Sequence, residues 1–253
     1  MILYNDAISS KDARHEISLT VLGKKLNNGK IDIYNNNELI KTDYLNGNSY
    51  NSAIEGITSK LTTLKIFITN GTNFQYIPLS TLRLYNDEPF IICDIDFTLS
   101  YTNFLLYLTR NLLSIKMLPD ASTVLNKLSK RYTIIYLTGR FINHTKMTKL
   151  WLKKHDFPEG PIISRQNQST FHLQSYKTQS ITSVTAISKN GIGIGDLNSD
   201  IRAYNHHNLV AIKIKNPILK LNKNNRYKQK PDFFEADSWK VIDNLFEEKD
   251  FYR

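Results

Sequence analysis

A single cysteine in 253 residues excludes an internal disulfide and fits a reducing compartment. That residue, Cys93, lies within an apolar run and reads as a small buried hydrophobe. No Cys/His spacing suggests structural zinc. No apolar run is long enough to span a bilayer. The amino terminus, Met1-Ile2-Leu3-Tyr4-Asn5-Asp6, lacks the basic start and apolar stretch of a secretory signal. These absences predict a cytoplasmic or peripheral-membrane location. Internal repeats are missing, as is any phosphate loop ending in Gly-Lys-Ser/Thr. Acid is scarce against base: 23 Asp and Glu face 33 Lys and Arg, for a net charge of +10. A surface of that sign attracts phosphorylated substrates, nucleic acid or anionic membrane alike.

Hydrophobic residues make up 41% of the chain, enough for a sizeable core in one large or two small domains. The first 88 residues differ from the rest. Apolar residues alternate with polar ones at Ile17, Leu19 and Val21, at Ile31 and Ile33, at Leu64, Ile66 and Ile68, and at Leu82 and Leu84. That is the period of half-buried strands. Asn28-Gly29, Asn46-Gly47 and Asn70-Gly71 supply the chemistry of tight hairpins. Residues 1–88 therefore read as a small antiparallel, sandwich-like β domain. From Pro89 to residue 253 the pattern becomes α/β: strands alternate with helices, as in a parallel sheet covered on both faces. Helices are expected over 102–115, from Pro119-Asp120-Ala121 onward, over 144–155 with Met147, Leu150 and Trp151 inward, and over 177–187.

The strand ends carry the chemistry. Pro89 to Cys93 delivers Asp94-Ile95-Asp96-Phe97-Thr98-Leu99, and the carboxyl edge of such a strand is where open α/β sheets bind ligands. Two acids that close suit divided labour, one ionised and one carrying a proton. A second apolar strand, Tyr132 to Leu137, ends in Thr138-Gly139-Arg140. A third, Gly191 to Gly195, ends in Asp196-Leu197-Asn198-Ser199-Asp200, with Lys177 at the start of the preceding helix. The glycine series is no dinucleotide fingerprint, because the third glycine is misplaced and Asp196 would repel a pyrophosphate. His206-His207 reads as a solvated helix end.

Acid pair, Thr, Lys, acid pair, in that order at strand ends: residues 89 to 215 resemble the haloacid dehalogenase (HAD) superfamily of phosphotransferases. The resemblance implies a HAD-like Rossmannoid sheet. It implies Asp94 as the nucleophile that forms an aspartyl-phosphate, and Asp96 as the acid and base that serves leaving oxygen and water. A single Mg²⁺ would be held by Asp94, Asp196 and the backbone carbonyl of Asp96, with Asp200 as a further ligand or a carboxylate behind it. Thr138 and Lys177 would bind the phosphoryl oxygens. Arg140 is left with two roles, reaching substrate or capping the turn.

The gaps between motifs are filled by core helices and strands, which leaves no room for a large cap. An open site favours a phosphate that projects from something large: a lipid headgroup, a protein side chain or a nucleic-acid end. Asp94 to Thr98, Tyr136 to Arg140 and Phe157-Pro158-Glu159-Gly160-Pro161 are similar to the lipin-type phosphatidate phosphatases and their actin-patch-associated relatives. The chain departs from lipins in carrying Phe97 where they have glycine. The expected function is a Mg²⁺-dependent phosphomonoesterase, with phosphatidic acid as one candidate substrate. The alternatives are a polynucleotide 3′-phosphatase, a phosphoprotein phosphatase, or an idle module that binds phosphate or lipid. A basic segment from Lys213 to Lys230 could face an anionic membrane, with Tyr227 and Phe233-Phe234 inserting, or a nucleic-acid backbone.

Overall fold

The computed structural model describes residues 1–102, 111–166, 173–215 and 227–252. The amino-terminal part holds eight strands: β1 (Ile2–Tyr4), β2 (Ala7–Ser10), β3 (His15–Val21), β4 (Lys30–Asn35), β5 (Glu38–Tyr44), β6 (Ser49–Ile54), β7 (Leu61–Asn70) and β8 (Asn73–Leu84). They form a three-stranded sheet, β1-β3-β6, and a five-stranded sheet, β2-β8-β7-β4-β5. The alternating residues point where their period demands. Ile17, Leu19 and Val21 from one sheet meet Ile31, Ile33, Leu64, Ile66 and Ile68 from the other in one buried cluster. Most pairings are antiparallel, but β2 runs parallel to β8, which the sequence reading did not anticipate.

Of the three Asn-Gly sites, Asn70-Gly71 turns the hairpin between β7 and β8, and Asn46-Gly47 makes a tight turn closed by the antiparallel Asn46–Ser49 bridge. Asn46-Gly47 carries the chain from one sheet to the other. The hairpin between β4 and β5 is made by Asn36 and Asn37, both with positive φ. Asparagine tolerates that region better than other side chains do, so an Asn-Asn pair replaced the expected glycine.

The remainder is an α/β unit: β9 (Phe90–Cys93), α1 (Ala121–Leu128), β10 (Thr133–Phe141), α2 (Thr145–Lys154), β11 (Ile162–Arg165), α3 (Leu173–Thr185), β12 (Gly191–Gly195), α4 (Asn198–His206), β13 (Val210–Ile214), β14 (Lys228–Gln229), β15 (Phe234–Ala236) and α5 (Trp239–Glu248). Its sheet has the order β11-β10-β9-β12-β13-β15-β14, parallel except for β14. Strand β9 shows why both faces are covered. Ile91 and Cys93 join a cluster with α1, α2 and α5, while Phe90 and Ile92 join another with α3, α4 and the end of β8. The chain runs outward from β9 through β10 to β11, then returns to the other side of β9 as β12. The order of strands therefore reverses between β9 and β12, the position at which such sheets bind ligands.

Several expected details differ. In α2 the buried residues are Thr145, Thr148, Trp151 and Leu152, whereas Leu150 is 44% exposed. Trp151 and Leu152 together set the inner face, which turns Leu150 outward. The helix expected over 102–115 lies mostly outside the described residues, and its described end is a short 3-10 turn, Leu112–Ser114. The part of the basic segment over 216–226 also lies outside them. Tyr227 and Phe234 meet edge to face and pack, partly buried, against the core. His207 bonds Thr178 O through Nε2 (2.8 Å), which ties α4 to α3, and only His206 is exposed.

One carboxylate joins the β sandwich to the α/β sheet. Strand β11 is an edge strand, and its outward N–H groups need partners. Asp6 Oδ2 accepts the Ile162 N–H (2.7 Å), and Asn5 Oδ1 accepts the Ser164 N–H (2.8 Å). Asp6 Oδ1 accepts the Ser80 N–H and the Lys149 ammonium of α2, each at 2.6 Å. Removing the Asp6 carboxylate would orphan the Ser80 and Ile162 N–H groups and strip Lys149 of its counter-charge, leaving the ammonium on Pro78 O and Ser80 Oγ. Breaking a buried ion pair costs about 3–5 kcal/mol. Asp6→Ala should lose that much in urea denaturation; a loss under about 1 kcal/mol would show that this carboxylate does not hold the junction.

Candidate active site

Sheet topology decides which side chains meet. Neighbouring strands β9 and β12 end in Asp94 and Asp196, and β10, on the other side of β9, ends in Thr138 and Arg140. Helix α4 then brings Asp200 back over the end of β12. That return needs glycine: a Cβ on Gly193 would sit 2.2 Å from the Tyr204 ring, and one on Gly195 2.5 Å from Asp200 Oδ2. The alternating glycines let α4 lie close against the strand, which is the physical account of a series that mimics a nucleotide fingerprint.

Asp94, Asp196 and Asp200 each place one carboxylate oxygen within 4.8 Å of the others, and all three are buried. Lys177 reaches into this cluster from α3, with Nζ 3.0 Å from Asp94 Oδ1 and 2.6 Å from Asp200 Oδ1. It is the fifth residue of α3 and 1% exposed, so it lies a turn inside the described helix rather than at its start. Asp200 Oδ2 also accepts the Leu197 N–H (3.1 Å), so both of its oxygens have protein partners. Asp200 thus anchors the lysine, and Asp94 and Asp196 face the space beside it.

Three carboxylates against one ammonium leave the cluster two negative charges in excess if all are ionised. Their acidities record the strain. Burial, then the charge of Asp200, pushes Asp196 up to about 7. Asp94 is raised well above the carboxylate range, by burial first, with Lys177 opposing and the other aspartates adding. For Lys177 burial acts to lower the pKa, but Asp200 and Asp94 outweigh it and the ammonium is held. Hard oxygen donors carrying two uncompensated charges fit one Mg²⁺-type cation.

Asp96 does not join the cluster. Its carboxylate is gripped by Arg140, with Nη2 2.7 Å and Nε 3.1 Å from Oδ1, and Nε 3.2 Å from Oδ2. The turn that follows Asp96 is tight. Thr98, Leu99 and Ser100 all direct their N–H groups at Ile95 O, and Phe97 takes φ 54°. A bulky residue at that φ stores of the order of 1–3 kcal/mol of strain. Where lipins have glycine, this chain holds a strained phenylalanine.

Thr138 is fully buried, its Oγ1 accepting the Arg140 N–H (3.2 Å) and its carbonyl accepting the Tyr176 hydroxyl (3.2 Å). Tyr176 also donates to Ile163 O (3.0 Å). The tyrosine pins the ends of β10 and β11 from α3, a role for which the sequence carried no signal beyond its position next to Lys177. Cys93 is buried on β9, and burial pushes its thiol well up, as befits an inert core residue. Among the described residues no cap domain covers these groups: the described chain from Asp94 to Ala121 holds turns and one 3-10 turn, and only α3 lies between β11 and β12.

A parallel sheet whose strand order reverses at the acidic motif, with Thr, Lys and a second acid pair converging there, has the arrangement of a HAD-like fold. Residues 91–214 match the family described as PITM 1-3, LNS2 domain, which is itself HAD-like. No curated protein matches the chain in sequence. Among solved structures, the fold is similar to D,D-heptose 1,7-bisphosphate phosphatase from B. bronchiseptica (12% identity, TM-score 0.47, 64% of this chain and 99% of that one). It is also similar to a HAD-superfamily hydrolase from Ehrlichia chaffeensis (14% identity, TM-score 0.43, 65% and 98%). A chain of the Pnkp1/Rnl/Hen1 complex is similar at 16% identity and TM-score 0.45, with 58% of this chain matching 55% of that one.

The site's charge balance can be tested without any substrate. Lys177→Met should remove the counter-charge of a buried carboxylate cluster and cost about 3–5 kcal/mol in chelator-treated protein. Chemical denaturation of both proteins measures it, and equal stability would show that the lysine does not hold the cluster together.

Proposed function

We propose that this chain is a Mg²⁺-dependent phosphomonoesterase that works through an aspartyl-phosphate on Asp94. The observation that carries the reading is the convergence of Asp94, Asp196 and Asp200 within 4.8 Å, with Lys177 in contact. Asp94 and Asp196 would hold the ion together with the backbone carbonyl of Asp96, with Asp200 behind them. When bound, the cation offsets the repulsion between carboxylate and phosphate and polarises the phosphoryl group.

The residues of the chain divide the remaining work. A carboxylate oxygen of Asp94 attacks phosphorus, and the bond to the leaving oxygen breaks with its electron pair on that oxygen. Asp96 gives the leaving oxygen its proton. Water then attacks the same phosphorus and yields a proton to Asp96, and the bond to Asp94 breaks to release phosphate. Lys177 and the N–H groups and hydroxyl at Thr138 would steady the equatorial oxygens. A second acid two residues after the nucleophile supports turnover over an idle binding module, because a binder needs no proton carrier.

For the substrate, the lack of a cap among the described residues and the lipin-like segments favour a phosphate borne on something large, with phosphatidic acid first. An anionic membrane surface would be the partner in that case. No helix among the described residues is long and apolar enough to cross a membrane. Polynucleotide 3′-phosphate and phosphoprotein are the competing substrates for the same site. Asp94→Asn should lower kcat/KM at least about a thousandfold, ~4 kcal/mol of transition-state stabilisation. The assay compares phosphatidate in micelles, a phosphopeptide and a 3′-phosphorylated oligonucleotide. An undiminished rate in Asp94→Asn would remove the nucleophile, and the preferred member of the panel names the substrate class.

A further inference from the structure

We infer that Arg140 is a positioning residue that fixes the proton carrier Asp96 for its exchange with the leaving oxygen; this rests on the phosphomonoesterase reading above. Proton transfer needs the carrier's oxygen within about 2.6–3.2 Å of its partner and correctly aimed. Asp96 lies on a tight turn with its side chain partly open to solvent, so nothing in its own backbone fixes the carboxylate plane.

Arg140 supplies that constraint. Its side chain is fully buried, and a guanidinium presents its donors in a rigid planar fork. The fork is itself held, with Nη1 3.4 Å from Thr148 Oγ1 and the guanidinium carbon 5.7 Å from the centroid of the Trp151 ring. Trp151 is anchored in turn by donating Nε1–H to Ile115 O (2.8 Å). A chain of fixed contacts therefore runs from α2 to the carboxylate. The grip is uneven. Oδ1 receives two donors at 2.7 and 3.1 Å, and Oδ2 only the longer bond at 3.2 Å. Oδ2 is the oxygen left to carry and exchange the proton, with its direction set by the fork on its neighbour.

The consequence is specific. A residue that acts through the proton carrier matters most when the leaving oxygen is basic and least when it is stable as an anion. Phenyl phosphate and p-nitrophenyl phosphate are nearly the same size and differ in that property, phenolate being the more basic. The experiment measures kcat/KM for both esters in wild type, Arg140→Lys, Arg140→Gln, Asp96→Asn and the Asp96→Asn/Arg140→Lys double variant, with thermal melting as the control for folding. Lysine keeps the charge but loses the fork.

The expected result is a phenyl to p-nitrophenyl ratio that falls about tenfold or more in Arg140→Lys and in Asp96→Asn, with no further fall in the double variant. An equal loss on both esters, or losses that add in the double variant, would overturn the inference and leave Arg140 a structural residue. Arg140→Gln serves the same comparison if the lysine variant melts early. Wild type that turns over neither these esters nor any of phosphatidate, phosphopeptide and 3′-phosphorylated oligonucleotide would instead remove the phosphomonoesterase reading, and this inference with it.

Discussion

Three aspartates buried against one lysine set the terms for everything else in this molecule. Like charges in a poorly solvated place repel strongly, and a fold tolerates them only where something repays the cost. Here Lys177 bridges Asp94 and Asp200 while Asp94 and Asp196 are left short of compensation, both pushed toward their neutral forms. A protein that needed only stability would place hydrophobic residues at this sheet edge. The arrangement makes physical sense when the missing positive charge arrives from outside, as a cation and the phosphoryl chemistry it allows.

The scaffold accepts that cost because its strands are fixed from both sides. Ile91 and Cys93 face one layer of helices, and Phe90 and Ile92 the other. The switch in strand order between β9 and β12 brings the acids together at the carboxyl edge of the sheet. The β sandwich contributes through Asn5 and Asp6, which satisfy the edge strand β11 and hold Lys149 of α2. Helix α2 also carries Thr148 and Trp151, which hold Arg140. The amino-terminal part thus braces the helix that holds Arg140 against Asp96.

Much of this was legible in the sequence, for a definite reason. Buried parallel strands read as apolar runs, and their ends are marked by polar residues with work to do, so Asp94, Thr138, Asp196 and Asp200 declared their places through local pattern alone. Lys177 was legible through its order among the motifs, although the described helix extends past it on the amino-terminal side. Partnerships across the fold were not. Arg140 followed its motif plainly, but its pairing with Asp96, 44 residues away, depends on where β10 bends after Thr138. Nothing in the sequence singled out Asp6, because its partners lie 74 to 156 residues on. The Asn36-Asn37 hairpin escaped because asparagine does there what glycine was expected to do, and the exposed Leu150 shows how one apolar residue can sit beside a helical stripe without belonging to it.

The claim beneath all of this is that the aspartate cluster is a divalent-cation site whose negative charge the fold itself does not balance. Calorimetric titration of the chelator-treated protein with Mg²⁺, alongside Asp196→Asn, tests it most directly. Binding of one ion per chain in wild type, with affinity lowered at least tenfold in Asp196→Asn, is the predicted result. Wild-type protein that binds no Mg²⁺, or that binds it as tightly after Asp196 is neutralised, would contradict it.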